Sequence, residues 1–436
     1  MSAGELVALV CCDLGAIVRG RSVLASELGE QLDTGVSWVP ANLSLTPCGS
    51  LAEPNPFGSV GDLRLLPDPD THTRVEGDQG SGPLELMLCD IVEIDGQPWE
   101  CCPRRFLRDA LSELGSLGVR LTASFEHEFQ LLRDAPPAPA FSLEAQRRAE
   151  PFPAQVMGAL VEAGAHPERI FAEYAPHQFE IPVRPARGLA SADRSVVLKE
   201  VVREIARRQG LAASFTPLLD PAEAGNGVHV HISLLDDAEE SLLYDASRPA
   251  CLSELGERFA AGILLHAPAL SALTAPSPIS AARLRPHRWS VGALALASQN
   301  REALLRIPPV LRLAHEDAAA QLHLEYRGAD AAANPYLALG AIVRAGLDGV
   351  HRELPAPPIL ERDPAGLDEA GAARYRVGQW PASLEDSLQA LAEDESVRGW
   401  LGELLYEAYV GVKRAELRAV AELDLSEACR RYAAIY

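Results

Sequence analysis

The chain of 436 residues carries 39 basic and 61 acidic side chains, which give a formal net charge of −22 at pH 7. Hydrophobic residues make up 47% and charged residues 23% of the sequence, values that are ordinary for a globular protein with a sizeable core. The acidic excess argues against a surface that binds nucleic acid or a membrane, because long-range repulsion opposes both partners. It does not exclude small anionic ligands, which a few local arginines can hold.

The cysteines and the first residues indicate the compartment. Cysteines stand at Cys11, Cys12, Cys48, Cys89, Cys101, Cys102, Cys251 and Cys429. Their spacing fits neither a disulfide framework nor a Cys-x-x-Cys metal site, so we predict buried free thiols in a reducing compartment. The first residues lack the basic region of a signal peptide, and no run approaches the apolar length of a membrane helix. We therefore expect a cytoplasmic protein whose first segment is a strand.

Residues 1–102 predict a small, strand-rich unit. Apolar stretches favour strands at 6–12, 84–90 and 91–94. Turn-rich stretches separate them at 47–61, 67–70 and 77–83. Helical periodicity begins at Pro103, where apolar residues recur three and four positions apart. A domain boundary is predicted there, which gives domains 1–102 and 103–436.

The rest of the chain alternates helices and strands. Apolar periodicity predicts helices at 192–209, 252–265, 335–347 and 397–423. Proline-rich stretches predict loops at 134–153 and 353–366.

Three predicted strands carry functional side chains two positions apart. The pairs are Glu126 with Glu128, His229 with His231 (followed by Ser233), and Glu325 with Arg327. Because side chains alternate along a strand, each set shares one face, with apolar residues on the other. A solvated face explains any one of these strands alone, since glutamates are mostly exposed. Their joint presence favours a site.

Further acids and arginines extend this interpretation. Glu173 precedes an Ala-Pro-His turn, after which Glu180 lies on a predicted strand. Carboxylates with one imidazole favour Mg²⁺ or Mn²⁺ over structural zinc. Near such metals, Arg283, Arg301 and Arg306 would serve phosphoryl transfer, although each alone is equally typical of a helix or strand end.

In the order of its motifs, the chain resembles the glutamine synthetase family over nearly its whole length. The motifs are Glu126-x-Glu128, Glu173…Gln178-x-Glu180, Gly225 to Ser233, Arg283-Leu284, Asn300 to Pro308, Glu325-x-Arg327 and Asn334-Pro335-Tyr336. The resemblance implies an α+β fold: a small β-grasp N-terminal domain and a larger catalytic domain with a curved antiparallel sheet and surrounding helices. It further implies a homo-oligomer, a dodecamer of two hexameric rings, with active sites between subunits.

The resemblance also implies a role for each matched residue. Glu128, Glu173 and Glu180 match the ligands of a first divalent metal. Glu126, His229 and Glu325 match those of a second, beside the phosphates of ATP. His231 and Ser233 match nucleotide contacts, Arg301, Arg306 and Arg327 match phosphate-binding arginines, and Gly225 with Arg283 matches the glutamate site. The implied reaction joins the γ-carboxylate of glutamate to an amine, with ATP as co-substrate. Arg301 and Arg327 would be its catalytic groups, and Glu173 would be the acid that places or deprotonates the amine.

The amine end departs from the family pattern. Trp289 falls where ammonia-using members carry a glutamate, and no acid lies at 45–50, where they carry an aspartate, although Asp33 or Glu53 remains open as a replacement. His177 replaces a turn glycine, and His323 an arginine near the nucleotide. Without these acids, ammonium is poorly attracted and deprotonated, whereas an indole suits a larger amine. The Pro-His-x-Trp segment is similar to that of relatives that act on polyamines, alkylamines, ethanolamine or anilines. Two alternatives stay open: an ordinary glutamine synthetase that uses ammonia, and a non-catalytic structural homologue.

Overall fold

A mixed sheet organises the N-terminal part of the chain. The computed structural model describes residues 4–436 except 79, 286–289, 312 and 314–316. The first elements are β1 (Leu6–Cys12), β2 (Val18–Leu24), α1 (Leu28–Thr34), β3 (Val36–Trp38), β4 (Leu63–Pro67), β5 (Thr73–Val75) and β6 (Leu84–Glu93). The strand order is β2-β1-β6-β4-β3, with β5 also on β6, and only the β1–β6 pair is parallel among these described strands. The strand predicted at 6–12 is confirmed, and those predicted at 84–90 and 91–94 merge into β6.

A larger sheet forms the centre of the remaining chain. Its strands are β7 (Arg120–Leu132), β8 (Phe171–Ala172), β9 (Gln178–Ile181), β10 (Ala186–Arg187), β11 (Ala212–Ser214), β12 (Val228–Leu235), β13 (Ala293–Ser298), β14 (Ala303–Ile307), β15 (Leu324–Ala329) and β16 (Ile359–Leu360). They follow the order β16-β13-β14-β15-β12-β7-β9-β8, with β10 and β11 also on β7. Pairing is antiparallel around β7, β12 and β15, and parallel where β13 meets β14 and β16. The predicted α+β class, with an N-terminal sheet and a larger sheet-and-helix unit, is confirmed.

Helices pack around this sheet. They are α2 (Pro103–Ser116), α3 (Leu143–Arg148), α4 (Phe152–Glu162), α5 (Leu189–Arg208), α6 (Glu254–Thr274), α7 (Ser280–Arg283), α8 (Ala318–Gln321), α9 (Pro335–His351), α10 (Glu369–Arg374), α11 (Leu384–Glu393), α12 (Glu395–Leu401), α13 (Glu403–Val420) and α14 (Leu425–Ala433). Short 3₁₀ turns occupy Pro40–Ser44, Pro69–Thr71, Pro249–Cys251 and Pro364–Gly366.

Helix α2 begins at Pro103 as predicted, but other predictions need correction. The predicted helix 252–265 extends through Pro268 to Thr274, because the residues beyond the proline are buried against the core. The predicted helix 397–423 is interrupted at Gly402, whose φ of 72° ends α12. The predicted loop 134–153 contains α3 and the start of α4, because Ser142 caps α3 through a hydrogen bond from the Ala145 amide.

A buried charge network joins the two units. The guanidinium of Arg104, on α2, donates from Nε and Nη2 to the two carboxylate oxygens of Asp193 on α5, at 3.0 and 2.9 Å. It also donates to Asp68 at 2.7 Å and to Asp90, on β6, at 3.2 Å. Tyr336 completes the set by donating to Asp193 at 2.7 Å. One arginine thus holds carboxylates from both units.

The cysteine and membrane predictions can be compared with the structure. All the cysteines are free thiols, and apart from exposed Cys48 and half-buried Cys251 they are buried, as expected. Within the described part of the chain, the helices are too short or too polar to cross a bilayer.

Candidate functional site

Four adjacent strands bring the predicted acids and histidines together. In the antiparallel register, His229 lies opposite Glu126, His231 opposite Glu325, and Glu180 opposite Glu128. The alternation predicted for β7, β12 and β15 is therefore confirmed, and the neighbouring strand β9 adds Glu180. Residues that are distant in sequence become neighbours because polar side chains of paired strands stack on the same face.

The acids and histidines form two compact groups that share Glu126. Its Oε2 atom lies 3.1 Å from His229 Nδ1 and 3.5 Å from His231 Nε2. Glu325 Oε1 lies 3.9 Å from His229 Nδ1. Ligand-type atoms lie within 4.8 Å of one another in the sets Glu126/Glu180/His229 and Glu126/His231/Glu325. This grouping differs from the one implied by the family resemblance, in which Glu180 accompanies Glu128 and Glu173; the latter stays a prediction.

The glutamates of the cavity, together with His229, have the chemistry of a cation site. Burial, reinforced by the charges of Glu126 and Glu128, raises the pKa of Glu180 to about 11. Burial and the charge of Glu128 raise the pKa of Glu173 to about 8. A divalent cation would remove this repulsion, and carboxylate oxygens with an imidazole suit Mg²⁺ or Mn²⁺. The donor set therefore fits the predicted metals.

Glu325 is balanced within the chain instead. Arg306 Nη1 donates to its Oε2 atom at 2.6 Å, and Arg327 Nη1 donates to its Oε1 atom. Burial acts to raise the pKa of Glu325, but the charge of Arg327, with smaller contributions from nearby histidines and Arg306, lowers it to about 2. Glu325 is thus an ionised carboxylate held in place by two arginines.

The remaining predicted arginines lie around the same space. Arg327 also donates from Nε to the backbone oxygen of Arg301 at 2.9 Å. The side chain of Arg301 is not engaged in this bond and is exposed. Arg283 is buried and donates from Nη2 to the Ala329 oxygen at 2.7 Å. A Cβ atom at Gly225 would lie 2.3 Å from the Pro217 oxygen and 2.7 Å from Arg283 Cγ, so only glycine fits beside this arginine.

Most of the predicted site residues line one cavity of about 320 Å³. These are Glu126, Glu128, Glu173, Glu180, Gly225, His229, Arg283, Arg301 and Arg327. His231, Glu325 and Arg306 adjoin it through their contacts with Glu126 and with one another. Ser233 is half-buried two residues beyond His231 on β12. We call the four glutamates of this cavity (Glu126, Glu128, Glu173 and Glu180) the acidic floor. An acidic floor beside several guanidiniums suits a reaction between charged phosphate and carboxylate groups.

Gln178 organises the floor, although the sequence assigned it no role. Its Nε2 atom donates to the Gly225 oxygen and the Asn226 Oδ1 atom, both at 2.9 Å, and lies 3.3 Å from Glu128 Oε2. Its Oε1 atom accepts from the Ala175 amide at 2.8 Å. The position of Gln178 in the Gln-x-Glu motif is the sequence signal that could have identified this role.

Three aromatic side chains at the cavity wall were missed entirely. Phe141, Phe171 and Tyr174 line the same cavity as the acids. The ring centroids of Phe141 and Tyr174 lie 4.8 Å apart at an interplanar angle of 84°, and those of Phe141 and Phe171 lie 6.4 Å apart. No local pattern in the sequence points to this cluster, which depends on a loop folding back over β8.

The departures at the amine end are only partly visible. Trp289 lies outside the described residues. Asp33, on α1, and Glu53 are exposed on the N-terminal unit. His323 Nε2 lies 3.0 Å from His231 Nδ1, so the substituted histidine pairs with a predicted nucleotide contact.

Comparisons with known proteins identify the family. A model of the glutamine synthetase catalytic domain matches residues 100–432, and a model of the glutamine synthetase N-terminal domain matches residues 1–99. The γ-glutamylpolyamine synthetase GlnA3 of Streptomyces coelicolor is 34% identical over 96% of this chain and 91% of its own. The glutamine synthetase of Thermus thermophilus is 32% identical over 81% of each chain. A crystal structure described as a novel glutamine synthase homolog superposes with a TM-score of 0.92 at 44% identity, covering 100% of this chain and 99% of the other.

Proposed function

The chain belongs to the glutamine synthetase family of carbon–nitrogen ligases, and we propose that it joins the γ-carboxylate of glutamate to a primary amine larger than ammonia, with ATP as co-substrate. The observation that carries the proposal is the single cavity in which Glu126, Glu180 and His229 face Arg301 and Arg327. Acids that repel one another beside guanidiniums suit a site that receives cations and phosphate together.

The first half-reaction is phosphoryl transfer. A γ-carboxylate oxygen of glutamate bonds to the γ-phosphorus of ATP, the bond to the β,γ-bridging oxygen breaks, and ADP leaves. Arg301 and Arg327 stabilise the charge on the transferred group, and Arg283 beside Gly225 holds glutamate. Mg²⁺ or Mn²⁺ bound by the predicted ligands (Glu126, Glu128, Glu173, Glu180, His229 and Glu325) would supply further neutralisation of phosphate oxygens. His231, Ser233 and Arg306 are proposed to contact the nucleotide.

The second half-reaction is amide formation. The amine nitrogen bonds to the activated carbonyl carbon, the carbon–oxygen bond to phosphate breaks, and phosphate leaves. The nitrogen loses a proton, and the proposed acceptor is Glu173, which lines the cavity. Support for a larger amine comes from the absence of an acid at 45–50, from Trp289 and from similarity to a γ-glutamylpolyamine synthetase.

An amine panel tests this function. We expect ADP release to require ATP, glutamate, Mg²⁺ and an amine, with a higher kcat/KM for ethylamine, ethanolamine, putrescine, spermidine or aniline than for ammonium. Ammonium as the best amine would instead establish an ordinary glutamine synthetase, an alternative that similarity to the Thermus thermophilus enzyme favours. ATP binding without turnover of any amine would establish a non-catalytic homologue. The domain boundary after residue 102 and the dodecamer stay predictions.

A further inference from the structure

We propose that Phe141, Phe171 and Tyr174 form an aromatic subsite that binds the carbon skeleton of the amine substrate. This inference rests on the proposed ligase function and adds to it the chemical class of the amine: a primary amine with a chain or ring of several carbons. We call these three residues the aromatic wall.

The aromatic wall belongs to the catalytic cavity and not to the core. Phe141 and Tyr174 are 52% and 50% exposed, yet both side chains line the cavity that holds the glutamates. Half-exposed aromatic side chains that face a cavity leave ring surface available to a ligand. Glu173, the carboxylate proposed to take the proton from the amine, lines the same cavity as the three rings.

The backbone presents Phe141 at an unfavourable conformation. Its φ of 56° lies in the left-handed region, which bulky residues rarely adopt. The next residue holds the turn: Ser142 Oγ donates to the Pro139 oxygen at 2.6 Å and accepts from the Ala145 amide at 3.0 Å, where α3 begins. An exposed ring kept in such a conformation by specific hydrogen bonds points to a function for the ring.

His177 anchors the segment that carries Phe141. His177 lies in the turn that precedes β9, and its Nε2 atom donates to the Ala135 oxygen at 2.9 Å. His177 itself has a φ of 56°, a conformation that glycine adopts at less cost. We infer that His177 is a positioning residue, which acts on the amine through the segment bearing Phe141.

The chemistry of the cavity selects the ligand. Ring faces attract methylene groups and alkylammonium ions, and the acidic floor attracts a cationic amine. Besides the three arginines of the proposed site, the exposed Arg169 also lines the cavity, where it is paired with Glu168 at 3.5 Å. An amine whose carbon skeleton lies along the aromatic wall would place its reacting nitrogen toward Glu173, whereas ammonia would use none of this surface.

The test compares amines on matched variants of the full chain. Phosphate release is measured at saturating ATP, glutamate and Mg²⁺ with ammonium, ethylamine, putrescine, spermidine and aniline. For Phe141→Ala and Tyr174→Ala, we expect the ratio of kcat/KM for the preferred larger amine to that for ammonium to fall about tenfold, mainly through KM. His177→Gly should lower the same ratio less. Leu143→Ala is the control, because Leu143 is 72% exposed on the same segment.

Phe141→Leu separates two kinds of amine. A ligand held through a second ammonium group loses the ring face in this variant, whereas an uncharged carbon skeleton still finds an apolar side chain. Thus spermidine should lose affinity and aniline should retain it.

The outcomes distinguish the subsite from the function. If the wild-type protein prefers a larger amine but Phe141→Ala and Tyr174→Ala leave the ratio unchanged, the aromatic subsite is overturned and the ligase function stands. If the wild-type protein prefers ammonium, the proposed amine class and the subsite fall together. A fall equal to that of Leu143→Ala would also overturn the subsite, because general damage to the segment would explain it.

Discussion

Two sets of carboxylates in this molecule differ in what balances their charge. Around Arg104, one guanidinium hydrogen-bonds to Asp193, Asp68 and Asp90. Burial acts to raise the pKa of Asp68, but the hydrogen bond and charge of Arg104 bring it below its ordinary value. In the cavity, burial and the charges of Glu126 and Glu128 instead raise the pKa of Glu180 to about 11.

The difference separates structure from function. Around Arg104, carboxylates balanced within the chain stabilise the fold, whereas carboxylates that raise one another's pKa, such as Glu173 and Glu180, gain from a cation supplied from outside. Glu325 combines both situations, because two arginines hold it beside the proposed metal ligands. Both sets combine acids with arginines, so composition alone does not show which acids are balanced. Substitutions in either set, and an added cation, should therefore affect stability and activity differently.

Removing the balancing arginine should cause the largest loss of stability. Arg104→Ala leaves Asp193 buried without its cation, and we expect the free energy of unfolding to fall by about 3–5 kcal/mol. Urea denaturation of the purified protein measures this change. The control is Arg105→Ala, whose side chain makes an exposed pair with Asp109 and should change stability by less than about 0.5 kcal/mol. Equal effects of the two variants would contradict a structural role for the network.

Removing an unbalanced acid should reduce activity without loss of stability. Glu180→Gln resembles the protonated side chain, so the metal-free protein should unfold at the same urea concentration or higher. Ligase activity should fall at least about 100-fold, because a proposed metal ligand is lost. The control Asp237→Asn removes an exposed acid paired with Arg120 and should leave both properties unchanged. A marked loss of stability in Glu180→Gln would show that this acid is already balanced.

Adding a divalent cation should stabilise the protein through the acids of the cavity, because the acids around Arg104 already have a cation. At ten times its dissociation constant, a bound ion adds about 1.4 kcal/mol to the free energy of unfolding. We therefore expect Mg²⁺ or Mn²⁺ to raise the thermal midpoint of the wild-type protein, and to raise that of Glu180→Gln less. A chelator should reverse the shift. The same shift in both proteins would place the stabilising ion elsewhere.

A third set of acids surrounds a buried histidine that can titrate. His266 lies between Asp394, at 2.6 Å from Nδ1, and Asp348, at 3.0 Å from Nε2. Burial acts to lower the pKa of His266, but the hydrogen bonds to both aspartates raise it above its ordinary value. The contribution to stability is therefore complete below the unfolded value, about pH 6.5, and is lost as pH rises through the folded pKa. We expect the stability difference between the wild-type protein and His266→Gln to shrink over that range. A difference that grows with pH would contradict this sign.

Local regularity explains what the sequence could predict. The strand period of two places Glu126 with Glu128 and His229 with His231, and it requires no knowledge of distant contacts. The start of α2 was predictable for the same reason, because a proline marks the first turn of a helix.

Long-range packing explains the rest. Helix α6 continues past Pro268 because the residues that follow are buried, which a local stop signal cannot reveal. The sharing of Glu126 between two groups depends on the pairing of β7 with β12, and the position of Phe141 depends on a loop that folds over β8. Motif order can therefore indicate which side chains belong together, whereas their spatial grouping depends on strand pairing and loop packing.

The antiparallel register of the central strands has a consequence for insertions and deletions. Removing one residue from the middle of β7 would turn either Glu126 or Glu128 toward the face that Phe125 and Phe129 occupy, and would bring a phenylalanine into the cavity. Removing two would restore the alternation but shift the acids one step along His229 and Glu180. A change of length in this strand therefore displaces the acids, whereas an insertion in the exposed turn at 237–240, after β12, should leave them in register.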